Sequence, residues 1–131
     1  LSKPATAAAR WNTDTNGIHN IELARLSAEE MAAAMAGERP FRRLAELNQP
    51  LAHYQFDTLL VDPPRAGLDA ATLSLASTFK RVLYISCNPE TLGDNLATLS
   101  ATHNIESLAF FDQFPYTHHL ESGVVLSKKT A

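Results

Sequence analysis

The chain has 131 residues and a net charge of −3 at pH 7, with 45% hydrophobic and 19% charged residues. This length can bury a hydrophobic core, so we expect one domain over 1–131. No apolar run approaches the ~18 residues of a membrane-spanning helix, and the basic excess of a typical nucleic-acid binder is absent. One cysteine forms neither an internal disulfide nor a cluster for zinc or iron–sulfur binding, which favours the reducing cytoplasm.

The first half of the chain predicts helices around a single strand. Alanine-rich composition favours helix at the start, and Ser27 followed three residues later by Glu30 has the spacing of a capping box. Alternation of apolar and polar residues is typical of a strand. The predicted elements are helices over 2–16 and 27–35, a strand over 18–26, and a loop over 37–54 with at most a short helix.

The second half alternates strands and helices. The predicted strands cover 57–61, 82–85, 105–111 and 123–127, and the predicted helices cover 68–79 and 88–99. Asp69 and Asn88 are candidate N-caps, and Pro89 suits the first helical position. The alternation predicts a doubly wound, mostly parallel α/β sheet with helices on both faces. The last strand should be antiparallel, because the loop before it is too short for a helical crossover.

Three polar clusters are expected at one edge of this sheet. Ligands of open parallel sheets bind beyond the carboxyl ends of the strands. Asp62 and Cys87 each follow a predicted strand, and the loop that contains His118, His119 and Glu121 also leaves a strand end. We therefore expect these side chains to lie close together.

Cys87 directly precedes the helix that Asn88 is predicted to cap. The unpaired N–H groups and the dipole of a helix start favour an anion, and the thiolate is the nucleophilic form of cysteine. The alternative is a buried cysteine that serves as a small apolar side chain. Position along the chain leaves both interpretations open.

Asp62 and Glu121 also have two interpretations each, one functional and one purely structural. Pro63 and Pro64 keep the chain out of helix as it leaves the strand, which presents the Asp62 carboxylate to a ligand. Asp62 and Arg65 could instead form a solvated pair in a plain turn. Glu121, beside aromatic and apolar residues, could act as a general base or be a solvated loop glutamate.

Metal and nucleotide signatures are weak. His118 and His119 with Cys87 or Asp62 could ligate a metal, but adjacent side chains rarely point the same way, so we predict no metal. The five glycines, at 17, 37, 67, 93 and 123, are too widely spaced for a GxG loop or a P-loop. Any glycine-rich cofactor loop must then lie upstream.

Three motifs occur in the order DPPRAG at 62–67, LYISCNPET at 83–91 and FPYTHHLESG at 114–123. Together they resemble the RNA uracil-C5 methyltransferases that use S-adenosylmethionine. The last motif is similar to the tRNA branch, which makes ribothymidine in the T-loop. The nearest alternative is the ribosomal RNA branch, whose members often carry an iron–sulfur cluster for which this chain lacks the cysteines.

The resemblance implies a Rossmann-like class I methyltransferase sheet, mostly parallel with an antiparallel last strand. It implies that Cys87 adds to C6 of uracil, that Glu121 removes the C5 proton, and that Asp62 lies beside the cofactor. The uridine must be flipped out of its stack. The candidate contacts to the base or the RNA are Arg65, Tyr116 and His118.

The resemblance also implies that 1–131 is the C-terminal portion of a catalytic domain. The RNA-binding region, the glycine-rich cofactor loop and the first strands would lie upstream, so we expect weak cofactor binding and no turnover by these residues alone. An incomplete sheet would expose a strand edge on which a second copy could pair. Alternatives of other classes are a thiol hydrolase that pairs Cys87 with His118 or His119, and an inert interaction module.

Overall fold

The computed structural model describes residues 2–130, which fall into an N-terminal unit ending at Gln55 and a C-terminal unit beginning at Phe56. The N-terminal unit contains helices α1 (Lys3–Thr15) and α2 (Ala28–Met35) and short 3₁₀ turns at Arg42–Leu44 and Leu51–His53. No helix in the described part of the chain has the length and apolar character needed to cross a membrane.

Both helices of the N-terminal unit begin after a serine N-cap. The Ser2 hydroxyl accepts a hydrogen bond from the backbone N–H of Ala5 at the start of α1. At α2, the Ser27 hydroxyl accepts from the Glu30 N–H at 3.0 Å, and the Glu30 carboxylate accepts from the Ser27 N–H at 2.9 Å. The predicted capping box is therefore confirmed.

The strand predicted over 18–26 is wrong, because this segment is irregular. A strand needs a neighbour to pair its backbone groups, and no strand occurs among the described residues of this unit. Side chains supply hydrogen bonds to this segment instead of a neighbouring strand. The Arg25 carbonyl accepts a hydrogen bond from the Arg43 guanidinium at 2.7 Å. Glu22 accepts from the Asn48 N–H at 2.8 Å and from the Tyr54 hydroxyl. The alternation of apolar and polar residues in this segment was therefore not sufficient to predict a strand.

The C-terminal unit is a four-stranded sheet with two helices. Its elements are β1 (Thr58–Val61), α3 (Ala70–Ala76), β2 (Arg81–Ser86), α4 (Pro89–Leu99), β3 (His103–Phe111) and β4 (Glu121–Lys128). The strand order is β1-β2-β4-β3. Strands β1 and β2 are parallel, and β4 is antiparallel to both of its neighbours. The predicted sheet with one reversed last strand is thus confirmed. The predicted helices on both faces are not found among the described residues of this unit, because α4 packs on one face and α3 lies against α4. Self-association through an exposed strand edge stays a prediction.

The core of this unit lies against one face of the sheet. Alternate residues of β2 and β4 are buried: Val82, Tyr84, Ser86, Ser122, Val124 and Leu126. Helix α4 packs on this face, since its buried Asn95 bonds to the Tyr84 hydroxyl, and α3 lies against α4. Ile85, whose side chain alternates with the buried ones of β2, is 43% exposed.

Several element boundaries differ from the prediction for local reasons. Helix α3 starts only at residue 70, because Asp69 is its N-cap and accepts from the Thr72 N–H at 2.8 Å. Strand β3 starts earlier than predicted, at the buried His103, whose Nε2 lies 2.9 Å from the Phe79 carbonyl. Strand β4 also starts earlier, so Glu121 belongs to the strand rather than to the loop.

Acid is expected to destabilise the chain through three carboxylates. The Tyr54 hydroxyl holds the pKa of Glu22 below its usual range, and N–H donors of Ser27 and Thr72 do the same for the pKa values of Glu30 and Asp69. Groups whose pKa is lower in the folded state contribute stability above their unfolded pKa and lose it as the pH falls through the folded pKa.

The free energy of unfolding should therefore decline as the pH drops below about 4.5, the usual pKa range of carboxyl groups. Urea unfolding at pH 7, 5, 4 and 3, followed by circular dichroism, measures this decline. The variant Glu22→Gln should show a smaller loss between pH 5 and pH 3. Equal stability of the unmodified chain across this range would contradict the prediction.

Candidate active site

The strand register brings Cys87 and Glu121 to the same edge of the sheet. The last paired residues of β2 and β4 are Ser86 and Ser122. Cys87 directly follows Ser86, and Glu121 directly precedes Ser122. Both residues therefore adjoin the last pair of β2 and β4, at the edge where β2 ends and β4 begins.

Asp62 lies at the same edge, on the other side of β2. Strand β1 pairs in parallel with β2 up to Val61 and Tyr84, so Asp62 follows beside Ile85. Its side chain is exposed. The predicted convergence of Asp62, Cys87 and Glu121 on one sheet edge agrees with this topology.

Cys87 is a free, half-buried cysteine in a tight bend. The Ser86 hydroxyl closes this bend by donating to the Asn88 carbonyl at 2.9 Å and accepting from the Asn88 N–H at 3.1 Å. The Asn88 side chain then caps α4 by accepting from the Glu90 N–H at 3.2 Å, as predicted. The sequence interpretation missed Ser86, although a serine two residues before an Asn cap is a signal for such a turn.

The loop after β1 is docked on the first turn of α4. The Arg65 carbonyl accepts from Asn88 Nδ2 at 3.1 Å and from the Thr91 hydroxyl at 3.0 Å. The Arg65 guanidinium is directed at His119 Nδ1, 2.9 Å away, and not at Asp62. The solvated Asp62–Arg65 pair, which was the structural alternative for this turn, therefore does not form. These bonds connect the three sequence motifs.

A buried amide fixes the end of the same loop. Asn95 Oδ1 accepts from the Leu68 N–H at 2.8 Å and from the Tyr84 hydroxyl at 2.6 Å. Burial raises the pKa of Tyr84, which keeps its hydroxyl protonated as a donor. The sequence interpretation missed Asn95, although a polar residue in line with the buried Leu92 and Leu99 of α4 was a usable signal.

Gly67 is expected to tolerate no side chain. Its φ is +77°, and an added Cβ would lie 2.7 Å from Asn95 Oδ1 and 3.3 Å from Thr91 Cβ. Left-handed backbone costs other residues about 1–2 kcal/mol. With the clash added, Gly67→Ala should lower the free energy of unfolding by about 2–3 kcal/mol.

Urea unfolding measures this effect, and Gly93 offers a matched control inside α4. Apart from its chain neighbours and the backbone of its own helix, no atom lies within 4 Å of a Cβ built at Gly93. Gly93→Ala should therefore raise stability by up to about 1 kcal/mol through helix propensity. Similar losses in both variants would show that Gly67 has no special constraint.

The loop between β3 and β4 has its own internal order. Thr117 donates to the Phe114 carbonyl from its N–H at 3.2 Å and from its hydroxyl at 2.7 Å, and its hydroxyl accepts from the His119 N–H at 3.1 Å. Tyr116 sits within this turn at a φ of 66° and is fully exposed. The turn thus displays the Tyr116 ring to solvent, and His118 is exposed beside it.

Metal binding and thiol hydrolysis were the other chemistries considered for His118 and His119. His119 engages Arg65 through Nδ1. Among residues 2–130, no group of three His, Cys, Asp or Glu side chains could hold a metal ion. The thiol hydrolase alternative therefore has no thiol–imidazole contact to support it in the described residues.

The family of the chain follows from its sequence and agrees with its fold. A cysteine directly before a capped helix and a glutamate at the start of a reversed strand lie at one edge of a Rossmann-like sheet. A family model described as tRNA (Uracil-5-)-methyltransferase matches residues 1–129. The chain belongs to the tRNA (uracil-5-)-methyltransferase family.

Individual relatives agree with this assignment. The chain is 60% identical over 126 residues to a tRNA/tmRNA (uracil-C(5))-methyltransferase of Acinetobacter baylyi, covering 96% of this chain and 35% of the relative. It is 56% identical over 129 residues to the protein of the same name from Neisseria meningitidis, covering 98% of this chain and 35% of the relative. The chain thus spans about a third of the length of these relatives.

A solved structure shares the fold. The Pyrococcus abyssi tRNA (uracil-54, C5)-methyltransferase, in complex with S-adenosyl-L-homocysteine, matches with a TM-score of 0.67 and 28% identity. The match covers 95% of this chain and 26% of that protein. The predicted methyltransferase sheet is confirmed.

Proposed function

We propose that this chain is the C-terminal part of the catalytic domain of an S-adenosylmethionine-dependent tRNA uracil-C5 methyltransferase. The observation that carries the proposal is that Cys87 and Glu121 directly adjoin the last β2–β4 pair, Ser86 and Ser122, in a chain of this family. The RNA-binding region and the glycine-rich cofactor loop belong to the remainder of the protein. The enzyme acts in the cytoplasm on the T-loop of tRNA.

The chemistry requires activation of an unreactive carbon. C5 of uracil is a poor nucleophile while the ring is conjugated. The Cys87 thiolate adds to C6, which forms the S–C6 bond and moves the C5=C6 electron pair toward C5 as an enolate. C5 is then nucleophilic enough to take a methyl group. Cys87 lies directly before the first turn of α4.

Glu121 completes the reaction. After C5 has accepted the methyl group, Glu121 removes the C5 proton, and the released electron pair re-forms the C5=C6 bond and expels the Cys87 thiolate. Uracil gains a methyl group and loses a proton, and the thiolate is regenerated. C5 and C6 are adjacent atoms of one ring, so a base and a nucleophile beside the same strand pair suit this task.

Asp62 is the residue of this chain that we assign to the cofactor. S-adenosylmethionine supplies the electrophilic methyl group when it is bound. The exposed Asp62 carboxylate follows β1 at the edge that contains Cys87, and it can accept hydrogen bonds from amino or hydroxyl groups there. The fit is partial, because the widely spaced glycines of this chain form no glycine-rich loop.

RNA contacts from this chain are local, since its net charge is −3. A uridine must leave its stack to reach Cys87. The fully exposed Tyr116 ring can stack on an unpaired base, and Arg65 keeps guanidinium donors beyond the one on His119. His118 is exposed in the same loop. We assign these three residues to the flipped uridine or its neighbours.

Tyr116 should show opposite effects on stability and on RNA binding. Glycine relieves a positive φ, so Tyr116→Gly is expected to raise the free energy of unfolding by about 1 kcal/mol. Loss of base stacking should weaken RNA affinity of the full-length enzyme by about 1–3 kcal/mol. Urea unfolding and RNA titration measure the two quantities. Tyr116→Phe is the control that keeps both near wild type, and unchanged RNA affinity in the glycine variant would remove Tyr116 from the RNA site.

Methyl transfer from labelled S-adenosylmethionine tests the proposal. The full-length protein should label the uridine of a tRNA T-arm hairpin, and the 131-residue chain alone should not. Labelling of a ribosomal RNA stem-loop but not of the T-arm would favour the ribosomal branch. Cys87-dependent hydrolysis of an ester probe, without RNA labelling, would favour the thiol hydrolase.

A further inference from the structure

We propose that Arg65 and His119 are positioning residues, whose hydrogen bond holds Glu121 in place against the end of β2. This inference rests on the proposed function, because it assigns the contact to the step that Glu121 performs. The bond joins the loop after β1 to the loop before β4, two segments separated by 54 residues in sequence. It directly connects the DPPRAG and FPYTHHLESG motifs.

The Arg65 end of this link is anchored to the helix that follows Cys87. The Arg65 carbonyl accepts from both Asn88 and Thr91, on the cap and first turn of α4. The buried Asn95 holds the backbone of the same loop at Leu68. The guanidinium therefore extends from a backbone fixed relative to Cys87.

The His119 end is ordered by its own loop, two residues before Glu121, the first residue of β4. Its backbone N–H donates to the Thr117 hydroxyl, and its ring meets the Phe114 ring edge-on at a centroid distance of 6.0 Å. One half-buried residue, Leu120, separates His119 from Glu121. A displacement of His119 is thus transmitted to Glu121 over a very short stretch of chain.

The chemistry of the two side chains also determines the state of the imidazole. Arginine only donates hydrogen bonds, so His119 Nδ1 must be the unprotonated nitrogen and Nε2 must carry the proton. The link therefore requires this tautomer, and a His119 ring protonated on Nδ1 would be incompatible with it.

The role of Glu121 predicts which step depends on the link. Cys87 adds to the base before Glu121 acts, so loss of the link should spare adduct formation and slow proton removal. Misplacement of a reacting group by about 1 Å can cost on the order of 10²-fold in rate. His119→Phe keeps a ring against Phe114 but has no acceptor, whereas His119→Asn keeps an acceptor near the position of Nδ1.

The test uses the full-length enzyme with T-arm RNA and two readouts. Adduct formation with 5-fluorouridine RNA reports Cys87 addition, and tritium release from RNA tritiated at uridine C5 reports the Glu121 step. His119→Phe should form the adduct normally and release tritium about 10- to 100-fold more slowly, with partial rescue in His119→Asn. In the wild type, ¹⁵N spectra of the 131-residue chain should show His119 protonated on Nε2.

The possible failures are distinguishable. Normal tritium release by His119→Phe, or protonation of His119 on Nδ1, would overturn this inference alone. Loss of both readouts in His119→Phe would indicate a collapsed site and would likewise overturn it. Absence of adduct in the wild-type enzyme would overturn the proposed function and this inference with it.

Discussion

Replacement of Glu121 with glutamine is expected to slow turnover on T-arm RNA by about 10²- to 10⁴-fold, the usual contribution of a general base. The amide has the size of the carboxylate but cannot take the C5 proton. Cys87 remains able to add to C6, so the methylated adduct should form and then persist. A variant that loses turnover while gaining a stable protein–RNA species is the signature of a base that acts after covalent addition.

Denaturing electrophoresis of the full-length enzyme with ordinary uridine RNA measures this accumulation. Glu90→Gln is a matched control, since Glu90 is an exposed carboxylate on the first turn of α4, close in sequence to Cys87. It should turn over as the wild type does and accumulate no adduct. A Glu121→Gln enzyme with normal turnover would assign proton removal to another group.

Replacement of Asn95 with alanine is expected to lower the free energy of unfolding by about 3 kcal/mol. The change removes the acceptor of the Leu68 N–H and of the Tyr84 hydroxyl, and both donors are left in a buried region. Each buried donor without a partner costs about 1–3 kcal/mol. The loop that contains Arg65 should also loosen, so Cys87 should react faster with a thiol reagent.

Urea unfolding followed by circular dichroism measures the stability, with Asp94→Ala as the control. Asp94 is the exposed neighbour of Asn95 on α4, and its loss should change stability by less than about 0.5 kcal/mol. Tyr84→Phe should cost about 1 kcal/mol. The double variant with Asn95→Ala should cost less than the sum of the two, because both remove the same bond. If the two losses in free energy of unfolding were additive, Tyr84 and Asn95 would not be energetically coupled.

Features that depend on neighbouring residues were predictable. The capping box at Ser27, the Asn88 cap with Pro89 after it, and the buried strand before Cys87 are all encoded within a few positions. The edge that contains Asp62 and Cys87 followed from the order of these elements. The reversed last strand followed from the length of the loop before it.

Features that depend on distant residues were not predictable. The segment 18–26 has the alternation of a strand, but a strand forms only beside a partner, and alternation contains no information about one. The Arg65–His119 bond and the Asn95 contacts join residues 54, 27 and 11 positions apart. Such contacts depend on how loops are placed by the sheet, and residue types alone do not specify that placement.

Denaturing mass spectrometry of the full-length enzyme, after incubation with S-adenosylmethionine and a T-arm hairpin containing 5-fluorouridine, tests the central claim most directly. Fluorine at C5 cannot leave as a proton does, so the intermediate should be trapped. We expect a species with the mass of the protein, one RNA and one methyl group, which disappears in Cys87→Ser. A wild-type enzyme that forms no such species, or a Cys87→Ser variant that still forms it, would contradict covalent catalysis by Cys87.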